Sequence, residues 1–160
     1  MKGNFKPDRY IAMPRTKLFI GSSSAAKSQA KRLVAELSSA TVEFVPWWTA
    51  ITPGQLLLNE LETIKKSVDG AVLVFSPESE STIRGDRKNL PNLNVLFEFG
   101  YFFGSFERKK IAMIRYGEFY LPSDFGGYQW IYGSSGFRRG GVQAVGQRTK
   151  EEFARWIANL

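Results

Sequence analysis

Strand-like apolar runs alternate with amphipathic helical patterns from Lys17 to Leu160, and that rhythm predicts a three-layer α/β domain. About five parallel strands would form the middle layer, with helices on both faces. Ala71-Val72-Leu73-Val74-Phe75 is apolar throughout, as a strand covered on both faces must be. A length of 160 residues suits one domain with an ordinary core. With this strand number the flavodoxin-like order is the natural expectation, and ligands then bind beyond the carboxyl ends of strands one and three.

The elements follow in order. Met1 to Arg15 reads as an N-terminal arm, and the domain is expected over 16–160. Lys17 to Ile20 is the first strand, closed by Gly21 and the serines 22–24. Ala26, Ala30, Leu33, Val34 and Leu37 then trace a helical stripe. Thr41 to Val45 is the second strand. Pro53 stands at a plausible first helical position, and Leu56, Leu57, Leu61, Ile64 and Val68 make the next stripe.

After the third strand, residues 76–93 are rich in Ser, Pro, Arg and Asn and read as a loop. A helix capped by Asn92 or Asn94 follows. Lys110 to Ile114 is a fourth strand, and Gln129 to Tyr132 a weaker fifth. Residues 134–147, rich in Gly and Arg, read as a mobile loop. Thr149 and Glu152 have capping-box spacing at the head of a last helix.

Composition removes whole classes of mechanism. The chain has no His and no Cys, so neither Ser-His-Asp nor Cys-His nucleophile systems can be built. Zinc sites lose their preferred ligands, and no metal or bound cofactor is expected. The missing cysteines fit a cytoplasmic protein. A net charge of +7 comes from small separated clusters. A nucleic-acid surface is not indicated, whereas an anionic nucleotide would be comfortable. No apolar run approaches a membrane span.

The candidate site follows from the strand-edge rule. Ser22, Ser23 and Ser24 can hold phosphate or ribose, or Ser24 can simply cap the helix. Trp47-Trp48 offers ring area to stack on a base, or packs in the core. Arg84 can clamp phosphate, or lie solvated in its loop. Asn94 and Glu98 are four apart and share a helix face. Glu98 is the lone charge between Asn94 and Gly104, where Phe, Tyr, Leu, Val and Gly surround it. It reads either as a catalytic carboxylate with a tuned pKa or as a helix-end Glu facing solvent.

These residues closely resemble the TIR-like (Toll/interleukin-1 receptor-like) domains of bacterial antiphage signalling proteins. Matches run through Phe19-Ile20-Gly21-Ser22-Ser23-Ser24, Trp48 and Pro53-Gly54. They continue with Asp69 to Pro77, against D-x-A-V-x-V-x-x-P, and with Arg84-Gly85. Residues 94–104 match N-V-x-F-E-x-G-x-F-x-G, and Leu121-Pro122-Ser123-Asp124 matches L-P-S-D. The chain departs at Glu78-Ser79, where the family often has two acidic residues, and at Asn92-Leu93, where it commonly has Arg-Asp.

The resemblance implies cleavage of the nicotinamide–ribose bond of NAD, with Glu98 as the catalytic residue and NAD as substrate rather than cofactor. It implies self-association of TIR domains and a cyclic-nucleotide sensor domain on the same or a partner chain, acting in antiviral defence. Two alternatives remain: a non-catalytic scaffold or nucleotide-binding module, and a nucleoside 2-deoxyribosyltransferase-like enzyme with a sugar–Glu intermediate.

Overall fold

The structure, a computed structural model, describes residues 14–125 and 127–160; all but the last two residues of the expected arm lie outside them. Five strands form one parallel sheet: β1 (Thr16–Ser22), β2 (Val42–Pro46), β3 (Gly70–Phe75), β6 (Ile111–Arg115) and β7 (Ile131–Tyr132). Their order is β2-β1-β3-β6-β7, the flavodoxin-like arrangement. Helices α1 (Lys27–Leu37) and α5 (Gln147–Ile157) cover one face, and α3 (Leu57–Lys65) and α4 (Leu93–Ser105) the other. A single turn, α2 (Trp47–Ala50), follows β2.

Strand periodicity sorts the core into two layers. Leu18, Ile20, Val72, Val74 and Ile114 meet Ala30, Leu33 and Phe153 on the α1/α5 side. Phe19, Leu73, Phe75 and Met113 meet Leu61, Ile64, Phe99 and Phe102 on the α3/α4 side. Ser22 therefore points with Leu18 and Ile20, and Gly21 points with Phe19 toward α4. Among the described residues no helix is long and apolar enough to cross a membrane.

Four expectations need correction. Residues 76–93 are no open loop: β4 (Pro77–Ile83) and β5 (Asp86–Pro91) form a hairpin with a two-residue tip. Arg84 (φ 52°) and Gly85 (φ 89°) are both left-handed there, as a type I′ turn requires. Residues 134–147 likewise contain a hairpin, β8 (Ser135–Arg138) and β9 (Val142–Val145). It is held down by the buried Glu36 carboxylate, which accepts from Val145 N–H at 3.1 Å and pairs with Lys150 at 2.8 Å and Arg138 at 3.2 Å.

The third helix starts at Leu57 rather than Pro53, because left-handed Gly54 (φ 85°) interrupts any helix begun before it. Thr149 and Glu152 do not cap α5, whose N-cap is Gly146. They hold β7 instead. Thr149 Oγ1 donates to the Tyr132 carbonyl at 2.7 Å, and Glu152 Oε2 accepts from Tyr132 N–H at 2.7 Å.

Candidate functional site

A cleft of about 480 Å³ opens at the carboxyl ends of β1 and β3, where the strand order reverses. That size falls among small-molecule sites, roughly 300–1,000 Å³. Ser22, Ser23 and Ser24 line one side, Asn92, Asn94 and Val95 the other. Ile51 and Leu57 form an apolar wall beside Trp47, and Glu78 and Glu98 bring carboxylates.

Asn92 caps α4, its Oδ1 accepting from the N–H groups of Asn94 (3.0 Å) and Val95 (3.3 Å). Val95, Glu98, Phe99 and Phe102 form the buried stripe of that helix. Glu98 thus holds a core-facing position, and it is only 7% exposed. Room for its carboxylate comes from Gly21, on the α4-facing side of β1. A Cβ there would stand 2.7 Å from Glu98 Oε2.

The buried Oε2 of Glu98 has no hydrogen-bond partner. Burial alone pushes the carboxyl up to about 7 from 4.5. A side chain kept for stability alone would be paired or apolar at such a position. The group is balanced between its acid and carboxylate forms at neutral pH and ends in an open cleft.

The serine loop is braced. Ser22 Oγ donates to the Ser23 carbonyl and accepts from Trp47 Nε1 at 2.9 Å. Ser23 Oγ accepts from Ala26 N–H at 3.0 Å, so Ser23 rather than Ser24 turns the chain into α1, and it donates to Glu78 Oε1. Ser24 is exposed at the mouth. Lys27 Nζ stands over both tryptophan rings, 5.0 Å from the Trp47 centroid and 5.7 Å from that of Trp48.

Of the residues singled out in the sequence, Ser22, Ser23, Ser24, Asn94 and Glu98 come together here. Trp48 does not line the cleft: it packs on the α1/α5 core, and its neighbour Trp47 supplies the ring. Arg84 sits at the hairpin tip, about 20 Å of strand from the base that carries Glu78. Trp47, offered together with Trp48 by the sequence, is the one of the pair that lines the cleft, whereas the sequence does not single out Glu78 or Gly21 as site residues. Glu78 follows the third strand directly, so the strand-edge rule that found the serines also reaches it. Among the described residues no cluster of three Asp or Glu side chains forms a metal site.

A family profile described as "CAP12/Pycsar effector protein, TIR domain" matches residues 17–134. The chain belongs to this family. This TIR domain is 30% identical over 113 residues to CD-NTase-associated protein 12 of Sphingobacterium faecium, covering 71% of the chain and 35% of the relative. A second protein of that name, from a Lachnospiraceae bacterium, is 32% identical over 135 residues (78% of the chain, 41% of the relative). The Pycsar effector protein PaPycTIR of Pseudomonas aeruginosa is 35% identical over 92 residues (55% and 30%). The TIR domain therefore spans about a third of the length of these curated relatives. Among solved structures, a prokaryotic SEFIR domain superposes with a TM-score of 0.52 at 18% identity, covering 89% of this chain and 98% of that one. That likeness shows the fold.

Proposed function

We propose that this TIR domain cleaves the nicotinamide–ribose bond of NAD, with the Glu98 carboxylate as its catalytic group. The observation that carries the reading is an unpaired, buried carboxylate ending in a ligand-sized cleft at the switch point. In this chemistry the C1′–N bond breaks and its electron pair stays with nicotinamide, which leaves neutral. No general acid is required, which suits a chain without His or Cys. Positive charge develops on the ribose as an oxocarbenium ion, and an ionised Glu98 would stabilise it and orient the ribose hydroxyls. Water then adds at C1′, releasing ADP-ribose and a proton; an internal nucleophile would give a cyclised product instead.

The exposed Ser24 hydroxyl and Asn94 would hold ribose and phosphate oxygens, while the Ser22 and Ser23 hydroxyls, whose hydrogens are already given, would shape the loop and accept from ribose hydroxyls; Trp47 would offer a ring face. The relatives are named as a CD-NTase-associated protein and a Pycsar effector. By that likeness the domain would serve as the effector half of a longer antiphage protein, driven to self-associate by a cyclic-nucleotide sensor. Incubation with NAD, and separately with deoxynucleosides, followed by HPLC tests the reading. Nicotinamide release that disappears in folded Glu98→Gln supports it. Base release from deoxynucleosides, with sugar on Glu98 by mass spectrometry, would assign a transferase instead.

A further inference from the structure

Glu78 has no role in the bond cleavage above, yet it joins the two sides of the cleft. Its Oε1 accepts from Ser23 Oγ and, at 3.4 Å, from Ser76 Oγ; its Oε2 accepts from Asn92 Nδ2 at 3.0 Å. Both main partners present a donor to it. Asn92 spends Oδ1 on the N–H groups of Asn94 and Val95, so only its amide donor faces Glu78. Ser23 Oγ accepts from Ala26 N–H and gives its one hydrogen to Glu78 Oε1. The hairpin register shifts between Pro77 and Ser79, which takes Glu78 out of the ladder. Such bulges commonly re-aim a side chain beside a functional site.

We infer that Glu78 is a positioning residue, fixing the spacing between the serine loop and the first turn of α4. It thereby sets where substrate held by the serines meets Glu98. The inference rests on the NAD reading for its substrate. It requires an acceptor on both carboxyl oxygens, because two donors converge from opposite walls of the cleft. A glutamine there has one acceptor oxygen where two donors converge, so it can accept from Ser23 or from Asn92 but not from both.

The test compares the full chain with E78Q, N92D and the E78Q/N92D double variant. Hydrogen exchange is read in peptides covering 22–27 and 92–97, and KM and kcat are measured for NAD. Each single variant should loosen both segments together and raise KM about tenfold, the effect of one lost hydrogen bond, with a smaller change in kcat. E78Q leaves one of the two donors without its acceptor, and N92D opposes two carboxylates. The double variant keeps the capping oxygen at position 92 and moves the amide donor to position 78, so it should recover both readouts.

Loosening of one segment only, or of neither, or no recovery in the double variant, would overturn the inference whatever the turnover. Wild-type KM in both single variants would overturn the link to substrate. If a single variant unfolds, exchange rises across the whole sheet and recovery in the double variant decides. The NAD reading fails separately, if folded Glu98→Gln keeps wild-type turnover; the exchange pattern still decides the role of Glu78.

Discussion

A Cβ on Gly21 would stand 2.7 Å from Glu98 Oε2 and 2.5 Å from Leu73 Cδ1, so the buried carboxylate occupies the space that a side chain on β1 would fill. Gly21 pairs with Leu73 on β3, and Glu98 enters from α4. Phe19 beside Gly21 on β1 and Leu73 and Phe75 on β3 carry large apolar side chains on that face of the sheet. The glycine is the gap through which a charged group reaches the end of the sheet.

Gly21→Ala should therefore displace Glu98 or Leu73, costing about 1–3 kcal/mol of overpacking. Urea denaturation measures the stability, and NAD turnover the displacement. Activity should fall further than the loss of folded protein explains. A variant as stable and as active as the wild type would show that the carboxylate does not need this gap.

Stability should also depend on pH through Glu98. Its folded pKa, about 7, lies above the ordinary 4.5, so the folded state holds a proton that the unfolded chain releases. The contribution to stability is full below about pH 4.5 and is lost as pH rises through 7. By pH 8 the charged form costs about 3 kcal/mol relative to a neutral group. Glu98→Gln should thus be more stable than the wild type at pH 8, with the difference vanishing near pH 4.5. Thermal melts across that window check it; a constant difference contradicts the burial effect.

Activity should run the other way. If the ionised carboxylate stabilises the oxocarbenium ion, kcat/KM rises with pH around an apparent pKa near 7 and then levels. The departing nicotinamide adds no titration of its own. A profile flat from pH 5 to 9 would remove Glu98 from the rate-determining chemistry.

The two tryptophans should separate. Trp47 donates to Ser22 at 2.9 Å and lines the cleft, while Trp48 packs on the α1/α5 core. Trp47→Phe should raise KM for NAD several-fold through the lost brace on the serine loop. Trp48→Phe should act mainly on the denaturation midpoint. The reverse pattern would put the base on Trp48.

Periodicity and the strand-edge rule made the sheet order, the serine loop and Glu98 legible before any coordinates. The unread parts share a cause. Tryptophans 47 and 48 are adjacent, and period alone does not say which faces the cleft, because the α2 turn sets their directions. The β4–β5 hairpin hid behind polar, exposed residues whose turn is Arg-Gly rather than Asn-Gly. Thr149 and Glu152 have capping spacing, but tertiary contacts with β7 claimed both side chains. Gly21 read as the end of a strand, because the Glu98 contact that makes it necessary comes from a distant helix.

NAD cleavage by the wild type and by Glu98→Gln, measured over a range of protein concentrations with the products separated, probes the proposed activity without intermediaries. The wild type should release nicotinamide with ADP-ribose or its cyclised form, and specific activity should climb as the domain is concentrated. Folded Glu98→Gln should lose at least about 100-fold. Equal turnover by the two proteins, with the variant's fold confirmed by circular dichroism, would contradict the assignment of Glu98.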